Sequence, residues 1–180
     1  MKKELMEKGI FWFLCFLVYS VAGWIYELGV YYFEFKEGLV NRGFAFGPYL
    51  PIYGVGAVIL MLLKKSFGKK IPTYFSVSVA WCAALEYGTS WLMEYIYNVR
   101  WWDYTDLPLN LNGRIFLGGL LGFGIAGLGF SYLLFPKLEN AFHKLPAKVQ
   151  KAAIWLVMLL FLLDAIYSAA HPNMGVGITS

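Results

Sequence analysis

Apolar residues in this chain arrive in long runs separated by short polar stretches, a pattern of membrane spans more than of helices lying on a water-soluble core. A span needs about 20 mostly apolar residues, and five segments come near it: 10–33, 44–63, 73–97, 115–135 and 152–170. The second is short and interrupted by Pro48, Pro51, Gly54 and Gly56, and the fourth is continuous but glycine-rich. The pattern predicts an all-α integral membrane protein, a bundle of five transmembrane helices forming one transmembrane domain over 1–180.

The first run has features of a signal peptide, with lysines before an apolar core and Ser20-Val21-Ala22 as a small-residue cleavage site. Hydrophobicity continues past Gly23 through "WIYELGVYYF", so an uncleaved helix is expected.

Composition sharpens this picture. Hydrophobic residues make up 59 % of the chain and charged residues 14 %, against about 45–50 % and 25 % in soluble domains. With 180 residues there is no room for a separate soluble catalytic module. Aromatic residues, at 19 %, exceed what spans alone require, which directs rings to membrane interfaces or to a pocket.

Charge gives the orientation. Lys2, Lys3 and Lys8, then Lys64, Lys65, Lys69 and Lys70, then Lys137, Lys144, Lys148 and Lys151 all fall on one side of a five-span arrangement. Lys36, Arg42, Arg100 and Arg114 fall on the other. Basic residues mark the cytoplasmic side, so the N-terminus is expected inside and the C-terminus outside. Every arginine is outside. Lysine suffices to orient a chain, whereas arginine offers a planar fork for carboxylates and phosphates.

Glu27, Glu86, Glu94 and Asp164 lie within the predicted spans. An acid at mid-bilayer costs about 2.5–3.5 kcal/mol on insertion scales, so partners or water must reach these groups. At ~1.5 Å rise per residue, Glu27, Glu86 and Asp164 sit ~26, ~20 and ~18 Å from the cytoplasmic ends of their helices, in the outer half. Each belongs to a polar stripe: Ser20, Gly23 or Trp24 and Glu27; Ser78, Cys82, Glu86, Ser90 and Glu94; Asp164, Ser168 and His171. Three such stripes predict a water-accessible cavity open outward. The competing reading is that the acids only clamp the bundle, by pairing with Arg42 and Arg114 or capping backbone.

Trp24-Ile25-Tyr26-Glu27 matches Trp91-Leu92-Met93-Glu94 as W-x-x-E. Outer loops with Asn41-Arg42-Gly43 and Asn112-Gly113-Arg114 follow. This suggests a parallel repeat of helical hairpins, with interrupted helices at corresponding positions as in transporter binding sites. Gly118, Gly122 and Ala126 form a stripe explained by close helix packing. The glycines of "NRGFAFGP" and "HPNMGVG" offer flexible backbone for an anion, a weak signal alone.

Other chemistries find no motif. There is no G-x-x-x-x-G-K-[ST] for ATP hydrolysis and no H-E-x-x-H or cysteine cluster for zinc, so no metal or cofactor is expected. Cys15 and Cys82 are read as small buried hydrophobes. Asp164, Ser168 and His171 are spread over ~10 Å of one helix, too far for a triad. The basic connections face cytoplasmic lipid and require no nucleic acid.

The segments "GWIYE", "VNRGFAFGPYLPIYG", "WWDYTDLPLNLNGRI" and "DAIYS" are similar to motifs of the bacterial ABC-transporter type IV permease family (CmpB-like). That family has an NRGF-x-x-GP-x-x-P-I-Y-G loop and a WWDYS-D-x-P-x-N-x-NGR loop. The resemblance runs from about Gly23 to Ser168, with Thr105 where the family has serine. It implies a multi-pass protein of the bacterial cytoplasmic (inner) membrane. It also implies candidate site residues Glu27, Asn41, Arg42, Glu86, Trp101, Trp102, Asp103, Asp106, Asn110, Asn112, Arg114 and Asp164. Glu27, Arg42, Glu86, Arg114 and Asp164 also follow from the physical reading, which adds His171. Five short helices are few for a solitary permease, so a homodimer, or a separate ATPase or membrane subunit, is the expected partner.

Three functions fit these residues. One is a transport component capturing a small polar or zwitterionic solute, with the "RWWDYTDLPLNLNGR" segment as an outer lid over the cavity. A second is a membrane-embedded enzyme acting on a lipid or lipid-linked substrate at the outer leaflet, with a buried acid as proton donor or acceptor. The third is a structural or sensory subunit whose polar core only holds the bundle together.

Overall fold

The computed structural model describes residues 2–30, 32–33, 41, 43–144 and 146–174. The described residues are helical apart from one small hairpin and the connecting loops. The elements run α1 (Lys2–Val30), α2 (Pro51–Phe67), α3 (Ile71–Tyr97), β1 (Asn110–Leu111), β2 (Ile115–Phe116), α4 (Leu117–Gly129), a π-helical turn (Phe130–Leu134), α5 (Phe135–Lys144) and α6 (Ala147–Ala170).

Among the described residues, Lys8–Val30 and Leu117–Phe142 are long and apolar enough to cross a membrane, and Ile154–Ala170 is a shorter apolar helix. On α6, Trp155, Leu156, Leu159, Leu160, Leu163 and Ile166 are all exposed. An apolar surface of that kind suits lipid and not water.

Two expected boundaries shift. The second span was expected to be helical from 44, but residues 43–48 form bends and α2 begins only at Pro51. Pro48 and Pro51 explain the delay. The residue before a proline is steered away from helix, and Pro51, lacking a backbone donor, is preorganised for a first helical position. Helix α2 ends with Lys64 and Lys65 in its last turn, where cations suit the partial negative charge of the helix end.

The fourth span was expected over 115–135. Ile115 and Phe116 are strand instead, and the helical path continues to Lys144. The predicted connection between the last two spans is therefore itself largely helical.

Two compact units are formed, one by residues 2–54 and 135–174 and the other by 55–134. In the first, Phe11 meets Phe135 and Phe142 at centroid distances of 5.7 and 5.3 Å. Phe161 meets Phe13, Phe16 and Tyr49. Tyr53 lies over Gly23, where a β-carbon would collide with its ring.

In the second unit α4 lies against α3. A β-carbon on Gly124 would stand 2.6 Å from Phe75 and from Val79, and one on Gly127 would stand 3.1 Å from Leu60. Gly118 and Gly122 are exposed, so the small-residue face that packs within this unit is Gly124 and Gly127 and not the stripe read from the sequence. Helix α3 starts at a turn containing Pro72 and ends at Asn98, whose left-handed φ of 57° returns its N–H to the Glu94 carbonyl.

Candidate functional site

The segment from Asn98 to Phe116 folds back on itself. Asn112 and Gly113 have φ of 55° and 66°, and the Arg114 N–H donates to the Leu111 carbonyl at 3.0 Å. Positive φ at both central residues suits the tight hairpin turn that Asn-Gly favours. It pairs β1 with β2, Leu111 opposite Ile115.

Polar side chains then knit the loop. Asn110 donates to the Thr105 and Leu107 carbonyls at 3.0 and 2.8 Å and accepts from the Gly113 N–H. Asp103 accepts from the Thr105 N–H at 2.9 Å and from the Thr105 hydroxyl. The Thr105 hydroxyl, beside the loop's charged groups, holds the Asp103 carboxyl below the usual carboxylate range, with further lowering from Arg100. Threonine at this position thus performs the task a serine hydroxyl would.

The turn places Arg114 against α3. Its Nη1 donates to the Ser90 hydroxyl at 3.0 Å, its Nη2 pairs with the Glu94 carboxylate, and its guanidinium lies 5.7 Å from the Tyr87 ring centroid. Ser90, Glu94 and Tyr87 occupy one side of α3 at helical spacing. Arg100 approaches the same Glu94 oxygen through Nε at 2.9 Å, and its Nη1 reaches the Asn112 carbonyl at 3.3 Å and Asp103 at 3.9 Å. Two guanidinium groups therefore converge on one carboxylate oxygen. Arg114 is buried, whereas Arg100 keeps 26 % of its side chain exposed, and its Nη2 has no partner among the described residues.

Of the other predicted residues of this unit, Trp102 and Asn112 bond to that centre directly. Trp102 donates its indole N–H to the Arg114 carbonyl at 3.0 Å, and Asn112 donates to the Tyr87 hydroxyl at 2.9 Å. Trp101 is buried against Tyr97 at a centroid distance of 5.6 Å. Glu86 is buried and accepts from the Tyr104 hydroxyl at 3.2 Å. Asp106 is exposed.

The acids of the first unit serve residues 43–53, the bends and the first turn of α2. Asp164 accepts from the Gly47 N–H at 3.1 Å, from the Tyr49 hydroxyl and, at 3.5 Å, from Ser168. Glu27 accepts from the Tyr53 hydroxyl at 2.6 Å. Asn41 is a junction. It accepts from the Trp24 indole at 3.0 Å and from the Gly43 N–H at 3.1 Å, and donates to the Ala45 and Phe46 carbonyls. Asn173 straps the same loop, donating through its amide to the Asn41 and Gly43 carbonyls and through its backbone to Phe44. His171 is exposed and stacks on Tyr167 at 5.1 Å. Arg42 lies outside the described residues, as do Gly175 and Gly177 of the tail.

Sequence reasoning underweighted Glu94 and Arg100 and missed Tyr49, Tyr53, Tyr87 and Asn173. The tyrosines carried no signal because an aromatic ring suits an interface or a pocket equally, but the Tyr49 and Tyr53 hydroxyls reach Asp164 and Glu27 and Tyr87 takes the Asn112 amide. The two W-x-x-E motifs also part company: Trp24 bonds Asn41, whereas Trp91 is exposed and stacks on Tyr95.

No metal-binding group of three histidine, cysteine or acidic side chains occurs among the described residues. No curated protein and no solved structure matches the chain. One family model does, over residues 14–169, with the description "Putative ABC-transporter type IV". That match takes in nearly every element described above, and the chain belongs to this CmpB-like ABC-transporter family, as a transport-related membrane component.

Proposed function

We propose that the chain is a multi-pass component of the bacterial inner membrane, with five spans, a cytoplasmic N-terminus and an outer loop that captures a small polar or zwitterionic solute. The observation that carries this reading is the pair of arginines on Glu94. Arg114 is consumed by Glu94, Ser90 and Tyr87. Its work is to fix the loop. Arg100 shares the same carboxylate oxygen through Nε, while its Nη2 amino group has no partner among the described residues.

A free guanidinium amino group gives a carboxylate or phosphate a charge-assisted hydrogen bond. Asp103 and Asp106, both exposed, provide negative charge for a cationic group. Trp102 offers a ring face, and a cation over such a face gains about 0.5–2 kcal/mol. Preorganisation supports capture: Asn110, Asn112, Thr105 and Gly113 are spent on loop structure, so little ordering entropy remains to be lost on binding. A partner subunit, including any ATPase, would supply energy, since no P-loop occurs in this sequence.

A second reading, a structural subunit of a transporter, is favoured by the acids of the first unit. Glu27 and Asp164 each bond hydroxyl or backbone groups of residues 43–53, which is what a clamp would do. A thermal-shift panel of amino acids, betaines and phosphate esters separates the two. Capture predicts stabilisation of the wild type by one such class and none of Arg100→Gln. A panel without effect on either protein favours the structural subunit.

A further inference from the structure

Lys64, in the last turn of α2, makes contacts that the capture loop does not use. It is half-buried, where Lys65, Lys69 and Lys70 are exposed. Its ammonium donates to the backbone carbonyl of Ser131 at 2.6 Å and lies 4.6 Å from the centroid of the Tyr132 ring. Both contacts fall on the π-helical turn Phe130–Leu134.

Pro136 accounts for that turn. Proline has no backbone N–H, and in a helix its ring crowds the carbonyl four residues earlier. In α register the orphaned carbonyl would be that of Tyr132, four residues before Pro136. In π register, where bonds run from i to i+5, it is that of Ser131. One carbonyl goes without a helical donor in either case, and an unsatisfied peptide group in an apolar medium is costly. The helix thus has two registers to choose from, each with its own orphan.

We infer that Lys64 is the latch of this proline-made hinge, its ammonium selecting the π register by satisfying the Ser131 carbonyl. The surrounding contacts act in the same sense. Tyr74, fully buried, bonds the Ser131 hydroxyl and donates to the Leu60 carbonyl at 3.2 Å. Tyr132 donates to the Gly68 carbonyl at 2.6 Å and meets Tyr74 edge-on at 5.7 Å. Gly68 closes the end of α2, with its N–H on the Lys64 carbonyl and no room for a β-carbon there. The turn between α2 and α3 is thereby tied to one register of the fourth helix. A displacement of that turn withdraws the ammonium from Ser131 and removes the preference for the π register. Two discrete arrangements with a small gap are what a switching element requires.

The test is a double-mutant cycle read by hydrogen exchange. Lys64→Met in the natural background leaves the Ser131 carbonyl unsatisfied and should accelerate exchange across residues 128–135 about tenfold, an opening local to that segment. Pro136→Ala restores the missing donor, so in that background Lys64→Met should change exchange less than about twofold. Equal acceleration in both backgrounds, or none in either, overturns the latch. If Lys64→Met alone cannot be purified, recovery of a monodisperse Lys64→Met/Pro136→Ala protein supports it, and loss of both proteins overturns it.

Discussion

The Arg114 guanidinium, presented by the turn that Asn112 and Gly113 make, pairs with the Glu94 carboxylate near the end of α3, with Arg100 on the same carboxylate oxygen. That relationship ties the loop over residues 98–116 to the end of α3 and leaves the Arg100 Nη2 without a partner among the described residues. Loop order and ligand recognition are thereby separable by mutation.

Arg114→Ala should damage the fold more than Arg100→Ala. Arg114 also satisfies the buried Ser90 hydroxyl, and a buried hydroxyl left without a partner costs about 1–3 kcal/mol. Thermal unfolding in detergent should rank wild type above Arg100→Ala and Arg100→Ala above Arg114→Ala. Equal losses would show that Arg114 has no special structural part.

Gly113→Ala should loosen the loop through backbone and sterics together. At φ 66° a side chain costs about 1–2 kcal/mol, and the added carbon meets Asp103 and Thr105. Proteolysis or hydrogen exchange over residues 100–114 should report the opening while α6 stays protected.

Lowering the pH should unlock the same loop. The Asp103 carboxyl is held below its ordinary value by Thr105 and, behind it, Arg100. A depressed carboxylate pKa contributes stability that is full above the unfolded value, about 3.9, and is lost as pH falls through the lower folded value. Loop exchange should therefore be flat through neutral pH and rise only below the ordinary aspartate range. Asp103→Asn should abolish that acid limb.

Tyr49→Phe removes one of the donors on Asp164 and leaves the Gly47 N–H. A lost hydrogen bond to a charged group is worth about 1.5–3 kcal/mol, so the variant should melt lower. A cysteine placed at the buried Ala45 should also label faster with a water-soluble maleimide in that variant. Unchanged labelling would mean that the Tyr49–Asp164 bond does not order the loop.

Much of this was legible in the residues. Long apolar runs and the Pro48–Pro51 pair predicted helices and an interrupted second element, and the depth of the acids pointed to polar groups needing partners. The Asn112-Gly113 dipeptide was a hairpin signal of its own, but it was read as half of a repeat because Asn41-Arg42-Gly43 resembled it. Partner choice was not legible. Which hydroxyl reaches Glu27, Glu86 or Asp164 depends on helix rotation, and rotation is fixed by contacts such as Tyr53 over Gly23 that no local pattern encodes. The π-helical turn was hidden because its cause, Pro136, lies just past the expected end of the fourth span.

Native mass spectrometry of the protein released from mild detergent, wild type beside Arg100→Gln, tests the capture reading most directly. Solute capture predicts a small polar or zwitterionic adduct on the wild type that is absent from Arg100→Gln, with both proteins equally folded. A retained lipid in place of a polar solute, or the same adduct on both proteins, would contradict it.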